Sequence, residues 1–191
     1  SPYDMVYSEI YGMNQVSVQD VLHILEKNGV TVEQVIQLPY IRDDVFNYLP
    51  VTEINRDFGC DYQIQEGEFL NLFQYNLEDG YEHNIQPVST VTISGDRKLQ
   101  SVGTDVKILF NQNPTFADKT LIINDSDFEK LSADITGSAG IANLFQFQNW
   151  EDSYAGVCEV KEYLQESNQL NEDEQTYYEL SSKVEKYQDA K

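Results

Sequence analysis

Ile64-Gln65-Glu66-Gly67-Glu68-Phe69-Leu70-Asn71-Leu72 has a second copy in Ile123-Asn124-Asp125-Ser126-Asp127-Phe128-Glu129-Lys130-Leu131. Both read Ile-x-acid-x-acid-Phe-x-x-Leu. The phrase predicts a strand ending at the Ile and an acidic residue capping a helix, favoured by the positive N-terminal end of the helix dipole. Phe and Leu, three apart, then face inward on that helix. The phrase therefore predicts two similar strand–helix elements, with Glu66 and Asp125 as caps.

Outward from the phrase the pattern alternates between strand and helix. Tyr3, Met5 and Tyr7 read as a first strand. Ser17 is a candidate N-cap, Val18, Val21, Leu22 and Leu25 make an amphipathic stripe, and Asn28-Gly29 ends it. Val30 to Leu38 alternates as a second strand, with Pro39 marking its end, so the opening is consistent with a βαβ unit. Val88 to Ser94 is a half-buried strand and Gly95-Asp96 a hairpin turn. Val106, Ile108 and Phe110 form another strand, and Lys119 to Ile123 leads into the second copy of the phrase. Gly137 to Gly140 reads as a loop. Ile141, Asn143, Phe145 and Phe147 alternate as a late strand, followed by Asn149-Trp150 and a helix from Glu151 to Gln165. Tyr177, Leu180, Val184 and Tyr187 make a heptad-like stripe on a last helix.

Composition bounds the function. The 191 residues suffice for one domain or two small ones with a real core. Hydrophobic content of 40%, with 13 Tyr and 9 Phe, marks an ordered chain. The 33 acidic residues against 12 basic ones give a net charge of −21. That argues against nucleic acid, which needs a basic face, and favours cationic partners or solubility outside a cell. Between Arg56 and Arg97 there is no Lys or Arg, while Asp57, Asp61, Glu66, Glu68, Glu78, Asp79, Glu82 and Asp96 fall in that span. Such a one-sign field can steer a cation, or can simply be a solvated face.

Chemistry is sparse. Nucleophile elbow, P-loop, dinucleotide fingerprint and zinc signature are all missing, so no catalytic, cofactor-binding or metal residue is assigned. Glu66/Glu68 and Asp125/Asp127 are paired carboxylates, but acid–base work would need them desolvated across a cleft, and caps are exposed. Asn124-Asp125-Ser126-Asp127 resembles a calcium loop only without its glycine and distal Glu, and Asn124-Asp125-Ser126 also fits a glycosylation sequon. His23 and His83 are the only histidines and make no cluster with Cys60 or Cys158. Those two cysteines would form one disulfide in an extracellular domain or stay as free buried thiols. No stretch approaches the ~18 apolar residues of a membrane span, and residues 1–191 contain no signal-peptide pattern. The start at Ser1-Pro2 and the end within a helical pattern are expected of a domain cut from something longer; a trimmed tag or processed N-terminus gives the same start.

Four stretches resemble the extracellular domain of FtsX-like ABC transporter permeases, the MacB superfamily, with the bacitracin- and lantibiotic-resistance permeases of Gram-positive bacteria as the closest likeness. They are Pro2-Tyr3-Asp4-Met5-Val6-Tyr7, Val18 to Leu38, Leu121 to Leu131, and Phe145-Gln146-Phe147-Gln148-Asn149-Trp150. The resemblance implies an α+β fold: residues 1–42 and 135–191 form a membrane-proximal βαβ-type part, and 43–134 an inserted variable α+β subdomain holding both phrases. It implies a position outside the cell between two transmembrane helices, a cytoplasmic ATPase subunit as partner, and no cofactor in this domain. The function implied is sensing of a substrate or cationic antimicrobial peptide or other cell-envelope ligand, or mechanical coupling across the membrane. No ligand residue carries over. A secreted or cell-surface binding module without a transporter is the alternative, and a carboxylate-dependent hydrolase a further one.

Overall fold

The computed structural model describes residues 2–10, 16–43, 45–74, 87–109, 119–134, 138–167 and 180–190. In chain order the elements are β1 (Met5–Ile10), α1 (Val18–Lys27), β2 (Val32–Arg42), β3 (Asn47–Pro50), α2 (Val51–Phe58), β4 (Glu68–Phe73), β5 (Thr90–Ile93) and β6 (Arg97–Val106). Then follow β7 (Thr120–Ile123), α3 (Asp125–Ala133), β8 (Ser138–Phe147), α4 (Tyr154–Ser167), β9 (Leu180–Ser182) and α5 (Lys183–Asp189). The fold class is α+β, with parallel and antiparallel strand pairs. The chain divides into two compact units, residues 1–37 with 140–191 and residues 38–139, so that the divisions fall inside β2 and β8.

In the first unit the strand order is β2-β8-β1-β9. β1 lies antiparallel to β8, with Met5 opposite Phe145, and antiparallel to β9, with Met5 opposite Ser182. β8 therefore separates β1 from β2, and the expected βαβ opening has a third strand between its strands. α1 ends as the sequence predicts: Gly29 takes φ 77°, its N–H bonds to Glu26, and the Val30 N–H bonds to Leu25. Those two bonds are a Schellman cap, which only a left-handed residue permits cheaply. α1 and α4 cover one face, burying Met5, Tyr7, Val21, Leu25, Phe145, Phe147, Val157, Val160 and Leu164 in one core.

In the second unit the order is β5-β6-β4-β7-β3-β2. β4 is parallel to β6 and antiparallel to β7, and β3 is parallel to β7. Every residue of β3 and β7 is buried. The hairpin β5–β6 turns through Gly95 and Asp96, both at positive φ, as the sequence suggested. Tyr48, Phe69, Leu99, Leu121 and Ile123 form the core beneath α3 and its Leu131.

The two copies of the phrase adopt different structures. The second copy is strand then helix; the first is turn then strand, because Glu68–Phe73 is β4. At the cap position the second copy has Asn124, whose side chain accepts from the Ser126 N–H at 2.9 Å, so Asn124 rather than Asp125 caps α3. The first copy has Gln65 there, one methylene too long for that bond. Its next difference is Gly67, at φ 81°, in a turn closed by Glu68 N–H to Gln65 O at 3.1 Å. Phe69, Leu70, Leu72 and Phe73 then lie in a strand with neighbours on both sides, and all are buried. A continuous apolar run of this kind suits an interior strand.

Five smaller expectations are corrected. β2 runs through Pro39 to Arg42, and its pairing with β3 begins at Ile41. The strand expected of Val106, Ile108 and Phe110 is instead the end of β6, which stops at Val106 and leaves Ile108 outside, while Phe110 lies outside the described residues. Ser138 to Gly140 belongs to β8, not to a loop. Leu180 lies in a strand, and α5 begins only at Lys183; Tyr177 lies outside the described residues. Trp150 opens a short 3₁₀ turn, and α4 begins at Tyr154.

Candidate functional site

The two copies of the phrase lie side by side. Phe69 pairs with Ile123 across β4 and β7, and the Asn124 side-chain amide donates to Ile64 O at 3.0 Å. This brings all four predicted carboxylates to the α3 N-terminus and its surroundings, each with a separate task. Asp127 has no exposed surface, contrary to the expected exposed cap. Its Oδ2 accepts from the Gly67 N–H at 2.8 Å, and Arg97 Nη2 lies 2.6 Å from its Oδ1. The Arg97 contact has ion-pair distance without hydrogen-bond alignment. Asp125 Oδ1 accepts from the Thr52 N–H at 3.1 Å and so serves the start of α2. Glu68 Oε1 accepts from the Gln65 N–H at 2.8 Å. Glu66 is exposed; a hydrogen bond from Ser126, then Lys130, holds its carboxyl below the usual range. Asp125 and Asp127 reach different elements rather than one cleft.

Glu53, on α2, was not singled out by its sequence context. Burial lifts its carboxyl above the usual range against the pull of Arg56, with Asp57 and Asp125 adding to the rise. Its Oε2 is buried and makes no hydrogen bond. The signal lay in the helical spacing of Val51, Ile54 and Phe58, which brings Glu53 beside the buried stripe.

The acidic span is partly neutralised where it is described. Asp57 pairs with Arg56 at 2.9 Å, and Glu66 has the partners given above. Asp61 and Asp96 are exposed; Glu78, Asp79, Glu82 and His83 lie outside the described residues. Cys60 and Cys158 are both free and half-buried. His23 is exposed on α1. Among the described residues no three His, Cys, Asp or Glu side chains are grouped to hold a metal. In the first unit a surface cavity of about 370 Å³ is lined by Leu22, Glu26, Gly29, Val30, Thr31 and Val32. No helix among the described residues is long and apolar enough to cross a membrane.

The chain matches no protein-family model and no curated protein. It is similar in fold to a crystal structure described as a "Putative Lipoprotein from Bacillus anthracis", with a TM-score of 0.51 over 84% of this chain and 92% of that one, at 10% sequence identity.

Proposed function

We propose that this chain is the extracellular domain of an FtsX-like permease of the MacB superfamily, which senses a substrate or antimicrobial peptide or passes ATP-driven movement across the membrane. The observation that carries this reading is the meeting of the fold's two ends. Lys183 Nζ lies 3.0 Å from the buried Asp4 Oδ1, and the Lys183 N–H bonds to Asp4 O at 3.0 Å. A domain inserted between two membrane helices needs its entry and exit together, as inserted domains generally do. The α+β fold, the net charge of −21 and the lipoprotein description of the Bacillus anthracis protein support a place on the outer face of the cell membrane. A cytoplasmic ATPase subunit would then act on the domain through flanking membrane segments.

That same lipoprotein description favours a second reading, a cell-surface binding module without a transporter. The sequence on either side of residues 1–191 separates them. Apolar segments of about 20 residues on both sides support the permease; an export signal with neither segment supports the module. The peptide role has its own test. In titrations at two salt concentrations, a cationic peptide is expected to bind and an uncharged one of equal length is not. The binding should weaken as salt rises, because exposed charge is screened within about 10 Å at 0.1 M. Absence of binding at low salt removes the peptide role and leaves the permease reading standing.

A further inference from the structure

We propose that residues 180–190, comprising β9 and α5, are a strap that undocks from their unit when the two ends of the fold are drawn apart. The proposal rests on the permease reading, which supplies the membrane segments that would draw on those ends. β9 is three residues long and, among the described residues, lies at the sheet edge and pairs only with Met5–Tyr7 of β1. Among the described residues its apolar grip is small: Val184 is buried, Leu180 is half-buried, and Tyr187, itself 52% exposed, meets Trp150 edge-on at 6.0 Å between ring centres. Two ion pairs add to the attachment, Lys183 with Asp4 at 3.0 Å and Lys161 with Glu185 at 3.0 Å, while residues 186–190 are exposed.

The direction of loading decides which contact yields. β1 and β9 are antiparallel with Met5 opposite Ser182, so the start of one and the finish of the other adjoin. Drawing those ends apart loads the docked α5 first, then the Asp4–Lys183 contacts, and the strand bonds after them, one at a time. The strap therefore peels, whereas parallel loading would strain all its bonds together. The remainder of the unit is better tied. β1 pairs with β8 over its whole length, and α1 and α4 share a continuous core with both strands. Low-stability segments of this kind open locally without global unfolding. α5 keeps its own start signal when undocked, because Ser182 Oγ accepts from the Glu185 N–H at 3.2 Å and donates to its Oε1 at 3.0 Å. Undocking bares the outer edge of β1 and leaves Asp4 with the Phe147 N–H at 2.6 Å but without its cation.

Amide hydrogen exchange on the 191-residue chain tests this. In the unaltered protein, amides of 181–190 are expected to exchange faster than those of α1, α4 and Phe145–Phe147. Lys183→Ala should speed exchange of the strap and of the β1 edge about tenfold or more, since it removes one partner of a buried pair. The α1 and α4 amides should be unchanged, and Lys183→Arg should restore most of the protection. Lys161→Ala, which removes the exposed partner of Glu185 and leaves the start of α5 intact, should act on the same segments more weakly and serves if Lys183→Ala does not fold. Strap and core exchanging at one common rate, or either variant speeding the whole unit, overturns the strap. Those results leave the permease reading untouched, which stands or falls on the flanking sequence.

Discussion

Asp127→Ala is expected to lower the stability of the chain by about 3 kcal/mol, read as a fall in urea midpoint at unchanged slope. The carboxylate is wholly buried and serves two elements at once, Arg97 at the head of β6 and the Gly67 N–H at the turn into β4. Its removal leaves the Gly67 N–H without an acceptor, which alone costs about 1–3 kcal/mol. Arg97 is 34% exposed and can rehydrate, which keeps the loss below that of a sealed ion pair. Asp127→Asn keeps an acceptor for Gly67 while losing the charge, so its loss should be about half as large. A loss below about 1 kcal/mol for the alanine variant would show that the pairing carries little net stability, as replaced buried pairs sometimes do.

Gly156→Leu is expected to be the second severe change. Gly156 is buried on α4 where that helix meets the end of α1. A Cβ there would sit 3.0 Å from Val30 Cγ2, 3.3 Å from Asn28 Cβ and 3.4 Å from Leu25 Cδ2. Alanine gains about 1 kcal/mol of helix propensity but meets that crowding, which costs about 1–3 kcal/mol, so Gly156→Ala should come out near neutral or mildly destabilising. Leucine adds three more carbons with nowhere to go and should cost about 3 kcal/mol or more by forcing the helices apart. Thermal melts of the pair give the answer. A stabilised Gly156→Ala would mean that the crossing has slack.

Where the chain's own neighbours decide conformation, the sequence was readable. α1 follows from its stripe and its Asn28-Gly29 stop, and the β5–β6 turn from Gly95-Asp96. The cap that starts α3 was readable too, though in Asn124 rather than the acid after it. α5 carried an overlooked signal: Ser182-Lys183-Val184-Glu185 is a capping box, which sets the helix start after Leu180 instead of through it. β4 was not readable from Phe69 and Leu72, because their spacing fits a helix face, and burial between two strands settles the matter. The candidate site divides in the same way. Glu66, Glu68, Asp125 and Asp127 were visible as a set. That Asp127 turns inward to Arg97 depends on how β6, β4 and β7 align, which no local pattern contains. The crowding at Gly156 is equally a property of two helices meeting.

The pairing of Met5 with both Phe145 and Ser182 also sets an order of events during synthesis. Residues 38–139 find all of their own unit's strands within one continuous stretch, so that unit can close as soon as it has been made. Within this stretch β1 is made first, yet its neighbours β8 and β9 are made well over a hundred residues later. At ordinary ribosomal rates the interval is on the order of ten seconds. For that time Met5, Val6 and Tyr7, all buried in the finished fold, must wait without a sheet to join.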